Sequence, residues 1–322
     1  MKKLILNLSL LLAFSVICLT SCQKDSIEHN KEVDYSTSSI KASIPRIVEN
    51  NNGGINVFVN VTDQNGKALE NFDTDNLKFE TVSSNGQTET LKASGPGQLP
   101  SLIISALTMD YSGSMFSDSL SIPAMENAIG TFISMKNAYD MIEIIKFSDS
   151  IQVTTPLTDN LNDLQAGLAD SSFIGKNSTA LFEALQTGVD DVLPLAANNP
   201  TYLPSVVGFT DGKNNRPPNT PDSLIQNCIV GQVPVYTVGY GNSPDTARLK
   251  NISGQTGGQF FWNPGTGNIN TVYQHINGQL TNTTIIPLPG PQTKGQVTIR
   301  VTATYECAAG TLTATAEKEF YY

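Results

Sequence analysis

The sequence predicts an α/β fold, a doubly wound and mostly parallel sheet flanked by helices, with additional β-strands before and after it. Between residues 99 and 284, strand-like and helix-like segments alternate, which is typical of βαβ units around a parallel sheet. In residues 55–62 and 297–305, apolar side chains instead alternate with polar ones, which indicates half-buried strands. Turn signals follow both segments, at Asn65-Gly66 and Ala309-Gly310.

The flanking strands are expected to combine. Neither residues 45–98 nor residues 285–322 can bury a core alone, because a stable sheet needs at least three strands and a covering layer. We therefore expect both flanks to build one small immunoglobulin-like β-sandwich, with residues 99–284 inserted between its strands. Gly95-Pro96-Gly97 and the proline-rich segment 287–291 mark the expected borders. The alternative is two separate small β-modules that flank the central domain.

Within residues 99–284, each element is predicted from its pattern of apolar residues. The first strand covers residues 102–109 and ends at Asp110. The elements that follow are a helix over 123–135, a strand over 141–147, helices over 161–168 and 180–193, a strand over 205–209, a helix over 222–230, strands over 233–238 and 259–262, and a helix near 269–280.

The N-terminus predicts export. Two lysines precede an apolar stretch over residues 4–19, which is short for a membrane span, and Leu-Thr-Ser-Cys follows at 19–22. This tetrapeptide resembles a bacterial lipobox, in which Cys22 becomes the lipidated first residue. Residues 1–22 are therefore predicted to be a lipoprotein signal peptide with its lipobox, and residues 23–44 a flexible tether. A plain secretory signal or an anchor helix is the alternative.

The predicted location is the outer membrane, with attachment through lipid only. Residues 23–25 resemble the signal that sends lipoproteins of Bacteroidetes-type bacteria to the cell surface, and the periplasmic face is the alternative. The net charge of −10 argues against a nucleic-acid partner, which would need a basic surface. Cys228 and Cys307 remain in the mature body; a disulfide between them is left open, and a buried thiol is expected at Cys228.

Oxygen-bearing side chains stand where predicted strands end or helices begin. In an open α/β sheet, ligands bind beyond the carboxyl ends of the strands, so these oxygens are expected to meet at one edge. Carboxylates and hydroxyls suit Mg²⁺ or Mn²⁺. Taken alone, Asp110 and Asp211 would rather cap helices or open turns, and Thr179 would be an ordinary N-cap. The five candidate ligands are Asp110, Ser112, Ser114, Thr179 and Asp211.

Three segments that hold these residues resemble the metal-ion-dependent adhesion site (MIDAS) of von Willebrand factor type A (VWA) domains. Residues 110–114 match the family's Asp-x-Ser-x-Ser motif. Residues 175–185 resemble its Gly-Gly-Thr-x-Leu-x-x-Ala-Leu segment, with Asn177-Ser178 in place of the glycine pair, and residues 210–212 resemble its Thr-Asp-Gly loop. The three loops follow the family's order, and the alternation of strands and helices is similar to the VWA fold.

The resemblance implies how the site would bind a metal and a partner. Ser112 and Ser114 would bind Mg²⁺ directly (Mn²⁺ or Ca²⁺ being alternatives), Thr179 directly or through water, and Asp110 and Asp211 largely through water. A coordination position would remain open for an Asp or Glu carboxylate of a partner protein. The residues expected to border this position are Tyr111, Lys213 and Asn214. For Lys213 and Asn214, an ordinary solvated loop is the alternative.

The function predicted from these features is metal-dependent protein binding of the adhesion type. The alternative is a structural, secretion or assembly accessory lipoprotein in which the VWA domain is a scaffold. Catalysis is not expected, because His29 lies in the predicted tether and His275 in a late helix, and neither a Gly-x-Ser-x-Gly elbow nor a phosphate-binding glycine loop appears.

Overall fold

The fold is described from a computed structural model of the chain, which covers most of residues 34–322. The predictions for Cys22, the signal peptide and residues 23–33 of the tether lie outside the described residues. The tether prediction is wrong for its last part, because residues 40–43 form a strand that pairs with residues 60–63. In the part that is described, no helix is long and apolar enough to cross a membrane. The residues after 34 that are not described are 35, 70–71, 84, 94–98, 174, 176–177, 242–243, 264–268 and 293.

Strands and helices are numbered along the chain. The strands are β1 (Ile40–Ser43), β2 (Ile47–Glu49), β3 (Gly54–Asp63), β4 (Leu77–Ser83), β5 (Thr88–Leu91), β6 (Leu99–Pro100), β7 (Leu102–Asp110), β8 (Met141–Phe147), β9 (Ile151–Thr158), β10 (Tyr202–Thr210), β11 (Val235–Tyr240), β12 (Phe260–Asn263), β13 (Thr284–Pro289), β14 (Gln296–Cys307) and β15 (Gly310–Tyr321). The helices are α1 (Gly113–Ser117), α2 (Ser121–Ser134), α3 (Leu161–Ala169), α4 (Leu181–Ala197), α5 (Asp222–Gly231), α6 (Thr246–Thr256) and α7 (Ile269–Thr281), and a 3₁₀ turn covers Thr74–Asn76.

The central sheet has six strands in the order β12-β11-β10-β7-β8-β9, all parallel except β9. Strand β7 is buried on both faces because its side chains alternate between two apolar layers. Ile103 and Leu107 pack in the layer that holds α2, α3 and α7, whereas Ile104 and Ala106 pack in the layer that holds α4, α5 and α6. This is the doubly wound, mostly parallel sheet that the sequence predicts.

Helix α4 follows the second predicted metal loop. Its buried residues Leu181, Leu185, Val189 and Val192 recur at helical spacing, so one stripe of the helix faces the sheet. The helix continues to Ala197, beyond the predicted end at residue 193, with a proline inside its last turn.

The flanking strands form two sheets around a shared core. One has the order β1-β3-β13-β6 with β2 also paired to β3, and the other has the order β15-β14-β4-β5. Both sheets combine strands from the two flanks, with Val57 opposite Ile286 in one and Phe79 opposite Val301 in the other. These four side chains are buried in one apolar cluster. The immunoglobulin-like strand order stays a prediction.

The borders of the inserted domain differ from the expected ones. Strand β6 pairs with β13, so residues 99–100 belong to the sandwich sheet, and the central sheet begins at β7. Pro287 and Pro289 lie inside β13 rather than in a linker. Because β6 pairs only with Thr284 and Ile285, the prolines stand where β13 has β3 as its one neighbour and a missing N–H is tolerated. Gly95-Pro96-Gly97, the other expected border, lies outside the described residues.

Buried polar groups join the sandwich to the inserted domain within one compact unit, residues 34–322. The guanidinium of Arg46 donates to the carbonyl oxygens of Tyr202 and Ala196, the second bond being 2.7 Å long. The side-chain amide of Gln232 donates to the carbonyl of Ile47 and accepts from its N–H, both at 2.7 Å. These side chains thus bond to backbone groups across the junction of the two parts.

The two described cysteines are free thiols. Cys228 is buried in α5, as expected, and Cys307 lies at the end of β14, where its thiol contacts the carbonyl of Thr37 at 3.4 Å. The disulfide that the sequence leaves open is therefore not formed in this structure.

Candidate metal centre

The first loop begins at Asp110, the last residue of β7. One carboxylate oxygen accepts the backbone N–H of Ser112 at 2.8 Å, a side-chain turn that aspartate favours. The other accepts the hydroxyl of Thr210 at 2.6 Å. Because Thr210 ends β10, the parallel neighbour of β7, this second bond joins the first loop to the third.

The hydroxyls of the first loop form a chain that leads to Asp211. The oxygens of Ser112 and Ser114 are 3.1 Å apart, and the Ser114 hydroxyl donates to the Asp211 carboxylate at 2.7 Å. Ser112 is buried, whereas Ser114 is exposed, so this chain runs from the interior to the surface.

Thr179 stands close to this chain. A Cβ built on Gly212 would lie 3.6 Å from the Thr179 hydroxyl and 3.8 Å from that of Ser114. The hydroxyls of the first two loops therefore flank Gly212, where no side chain separates them. The structure thus brings all five predicted ligand side chains to one edge of the sheet.

The second loop is held by contacts with both of the others. The N–H of Thr179 donates to the side chain of Asn215 at 2.8 Å, and the N–H of Asn215 donates back to the Thr179 carbonyl at 3.1 Å. A Cβ on Gly175 would lie 1.7 Å from the carbonyl oxygen of Tyr111, so only glycine allows this close approach. Lys176 and Asn177 are outside the described residues, which leaves the departure from the family's glycine pair undescribed.

Sequence reasoning missed the roles of two residues. Thr210 appears in the quoted Thr-Asp-Gly motif, but only the structure identifies its hydroxyl as a partner of Asp110. Asn215 appears only as one of the polar residues after Asp211, and its bonds to Thr179 span 36 positions of the sequence. The cluster of polar residues after the third strand is the one signal that could have pointed to it.

Tyr111 does not border the open side of the site, which corrects the prediction for this residue. Its side chain is only 5% exposed. The hydroxyl donates to Glu126 at 2.6 Å, the ring meets Phe173 edge-on at 5.8 Å, and the ammonium of Lys146 lies 5.1 Å from the ring centre. Tyr111 therefore anchors the first loop to the layer beneath it.

Lys213 and Asn214 differ in their freedom to meet a partner. Lys213 is exposed. The side chain of Asn214 accepts the N–H of Phe182 in the first turn of α4 at 3.2 Å and donates to the carbonyl of Pro218 at 3.0 Å. Asn214 therefore caps helix α4 and closes its own loop. This agrees with the alternative given above, an ordinary loop without a dedicated contact to a partner.

Two carboxyl groups at the centre are poorly solvated as anions. Burial raises the pKa of Asp110 to about 6, against the opposing hydrogen bonds from Thr210 and Ser112, and the charge of Asp211 adds to the rise. Burial also raises the pKa of Asp211. A cation placed between such groups would favour their ionised forms.

The donor set fits a hard divalent cation. Hydroxyls and carboxylates are the oxygen ligands that Mg²⁺ and Mn²⁺ prefer. No cluster of three or more His, Cys, Asp or Glu suited to a metal occurs in the described chain, so a site at this edge would depend on hydroxyls. The residues that could hold the ion are Ser112, Ser114, Thr179, Asp110 and Asp211.

Comparisons with known proteins agree with this geometry. The family model described as von Willebrand factor type A domain matches residues 106–275, just over half of the 322 residues. No curated protein matches the sequence. A von Willebrand factor type A structure from Catenulispora acidiphila is 12% identical, with 90% of this chain and 75% of that chain covered and a TM-score of 0.52.

Proximal thread matrix protein 1 from the mussel byssus is also similar. It is 17% identical, with 58% of this chain and 48% of that chain covered and a TM-score of 0.51. A structure of the same mussel protein with a zinc-occupied MIDAS motif is 15% identical, with 56% and 48% covered and a TM-score of 0.49. The match spans about half the length of the mussel protein, and identities this low show the fold alone. With the family model and the sheet in agreement, the chain belongs to the von Willebrand factor type A domain family.

Proposed function

We propose that this VWA domain binds a partner protein by coordinating an Asp or Glu carboxylate through a divalent cation, with Mg²⁺ as the natural ion. The observation that carries the proposal is the convergence of the three loops. The Ser112, Ser114 and Asp211 oxygens follow one another at 3.1 and 2.7 Å. The Thr179 and Ser114 hydroxyls lie 3.6 and 3.8 Å from the position that a Cβ on Gly212 would take.

The burial of the donors supports an open coordination position on the outer side of the ion. Asp110, Ser112 and Thr179 are buried, whereas Ser114 is exposed and Asp211 is partly exposed. An ion held here would be enclosed from below and reachable from solvent. Mg²⁺ commonly keeps water on such a side, and an incoming carboxylate can replace it.

An interaction role also agrees with the family, since VWA domains are in general interaction modules. A binding function is therefore proposed in preference to catalysis. The scaffold alternative, in which the metal only stabilises the loops, predicts a different result in the test below.

Metal binding by Asp211→Ala, compared with the wild-type chain, tests the proposal. Asp211 is the better target because Asp110 is fully buried with two hydrogen bonds, so replacing Asp110 would destabilise the fold in any case. Asp159→Ala, at an exposed carboxylate, is the matched control. Calorimetric titration with MgCl₂ should show binding to wild-type and control proteins and at least a tenfold loss in Asp211→Ala, on the order of one lost charged ligand.

Partner capture separates adhesion from scaffolding. The wild-type chain is used to capture proteins from membranes of the same cells in magnesium or in EDTA, and the captured partner is then tested with its Asp and Glu residues replaced. Adhesion requires capture that depends on magnesium, on Asp211 and on one partner carboxylate. Magnesium binding that raises the melting temperature without any such dependence would establish the scaffold alternative instead.

We further propose that the chain is an outer-membrane lipoprotein, anchored through Cys22 and displayed at the cell surface. The lipobox-like segment at 19–22 and residues 23–25 support this assignment. Metabolic labelling with an alkyne fatty acid should label the wild-type chain and not Cys22→Ser. Digestion of the domain by protease added to intact cells would support surface display, and protection in intact but not lysed cells would place it on the periplasmic face.

A further inference from the structure

The exposed residues around the metal centre differ in chemistry on its two sides. Phe116 stands two positions after the predicted ligand Ser114, where the chain turns towards α2. Lys213 and Arg216 follow Asp211, where the chain turns towards α5. Because α2 and α5 lie in opposite layers, an aromatic ring borders the site on one side of the sheet and two cations border it on the other. We call Phe116, Lys213 and Arg216 the rim.

The ring of Phe116 contacts both of the first two loops. Its centre lies 6.4 Å from that of the Tyr111 ring, and a Cβ built on Gly175 would lie 2.9 Å from its Cε2 atom. The ring therefore rests between the loops that carry Ser114 and Thr179. Phe116 is nevertheless 54% exposed, so much of an aromatic side chain is available beside the site. A partner that covers this ring gains apolar contact next to the metal.

The two cations of the rim stand on a segment that is fixed to the second loop. Between them in the sequence, the side chains of Asn214 and Asn215 accept backbone N–H groups from the first turn of α4 and from Thr179, at 3.2 and 2.8 Å. Lys213 and Arg216 themselves are exposed, and the described residues give neither of them an ion pair. The segment is therefore held beside the site while both positive charges face solvent.

The charge balance of the site gives these cations a role in binding an acidic partner. When Asp110 and Asp211 are ionised, their two negative charges match the charge of a divalent ion. The whole chain carries a net charge of −10, so it repels an acidic partner at longer range. Lys213 and Arg216 reverse this sign locally, which attracts an acidic segment to the site and fixes its register.

We propose that the partner segment carries two acidic residues and one bulky apolar residue. The first carboxylate completes the coordination of the ion, the second accepts from Lys213 and Arg216, and the apolar side chain packs on Phe116. This inference rests on the proposed metal-dependent function and adds to it the sequence class of the ligand.

The two sides of the rim set the spacing within the segment. In an extended segment, side chains on one face recur at every second residue, about 6.6 Å apart. Because the ring and the cations lie on opposite sides of the site, the apolar residue and the second acid flank the coordinating acid, each two residues away. The expected pattern is apolar-x-acid-x-acid, read in one of the two chain directions.

The test uses capped peptides of both chain directions, Ser-Leu-Ser-Glu-Ser-Glu-Ser and Ser-Glu-Ser-Glu-Ser-Leu-Ser. Each is compared with a peptide in which the glutamate farther from leucine is replaced by glutamine. Fluorescence anisotropy with the mature chain in MgCl₂ should show that, in one direction, the second glutamate tightens binding about tenfold, the effect of one charge-assisted contact. This difference should shrink when NaCl is raised from about 50 to about 500 mM, and EDTA should abolish the binding of every peptide.

Variants assign the contacts. The double variant Lys213→Gln with Arg216→Gln should still bind Mg²⁺ but should bind the one- and two-glutamate peptides equally. Phe116→Ser should weaken both peptides and keep the difference between them. The matched controls are Lys92→Gln, at an exposed lysine after β5, and Tyr139→Ser, at an exposed ring that precedes β8 and so stands at the opposite edge of the sheet; both should bind the peptides as the wild type does.

The outcomes separate this inference from the proposed function. If calorimetry shows no Mg²⁺ binding by the wild-type chain, both fail together. If Mg²⁺ binds but no peptide does, or the second glutamate adds nothing in either direction, the inference is overturned and metal binding stands. It is also overturned if the preference survives in the double variant, because another surface would then bind the second carboxylate. Unchanged binding by Phe116→Ser would overturn the apolar part of the pattern.

Discussion

Replacing Glu143 with glutamine should remove a pH dependence from the free energy of unfolding. Glu143 lies in β8 with only 2% of its surface exposed, and its Oε2 has no hydrogen-bond partner. Burial raises the pKa of Glu143 to about 8, and the charge of Asp191 on α4 and a hydrogen bond to it add to the rise. At neutral pH the folded chain therefore keeps a proton on Glu143 that the unfolded chain releases.

The sign of the effect follows from the two pKa values. The pKa of Glu143 is about 8 in the folded chain, against 4.5 for a glutamate in water. The stability linked to this proton is therefore fully present below pH 4.5 and is lost as pH rises towards 8. Each pH unit in between lowers the free energy of unfolding by about 1.4 kcal/mol. We expect a loss of about 2 kcal/mol between pH 5 and pH 7.

Urea unfolding at pH 5, 6, 7 and 8 measures this effect. Glu143→Gln carries no titrating proton, so its free energy of unfolding should exceed that of the wild type by about 2 kcal/mol at pH 7 and by much less at pH 5. Glu183→Gln, at an exposed carboxyl on α4, is the control and should follow the wild type at every pH. Parallel profiles for Glu143→Gln and the wild type would refute the reasoning.

Three further substitutions test other contacts. Gly175→Ala places a methyl 1.7 Å from the carbonyl of Tyr111, so the second loop must shift, and calorimetry should show Mg²⁺ affinity about tenfold weaker; unchanged affinity would contradict the packing. Tyr111→Phe removes the bond to Glu126 and should lower the free energy of unfolding by about 1.5 kcal/mol in urea; no loss would mean that the bond adds nothing. Arg46→Met removes the guanidinium bonds to the carbonyls of Tyr202 and Ala196, of which Ala196 keeps a bond from the Asn199 N–H at 3.3 Å, and should cost about 2 kcal/mol in the same assay. A cost below about 0.5 kcal/mol would show that water replaces the guanidinium.

The central sheet could be predicted from the sequence because its strands are buried on both faces. A continuous apolar run such as 102–109 is recognisable without knowledge of its neighbours. Strand β9 was missed for the opposite reason: it lies at the edge of the sheet, and most of its side chains are not buried. Ile151, Val153 and Leu157 fit an alternating pattern, but Pro156 and the threonines at 154, 155 and 158 obscure it.

Strand β13 was interpreted as a linker because the contacts that make it a strand involve residues far away in the sequence. Two prolines within Thr284–Pro289 suggest a linker when read alone. Their place in a strand depends on which of its edges is paired, and this is decided by β3 and β6, which lie far away in the sequence.

The ligand set of the candidate site was predictable, and its supporting contacts were not. Asp110, Ser112 and Ser114 stand within one short loop, so their spacing carries the signal. The position of Tyr111 could not be derived from that spacing, because its ring contacts Lys146 and its hydroxyl bonds to Glu126, and both partners lie on other elements. The same holds for Asn215, whose partner lies on a different loop.

The junction of the two parts has a mechanical consequence. The chain enters the VWA domain from β6 and leaves it into β13, and these strands are paired side by side. The chain thus passes between the two parts at residue 101 and again at residue 283, and the Ser101 hydroxyl donates a hydrogen bond of 3.0 Å to the Thr283 carbonyl. A pulling force applied at the metal face would therefore act on both connections between the two parts at the same time. The two connections would share the force, and the domain would not unfold from one end.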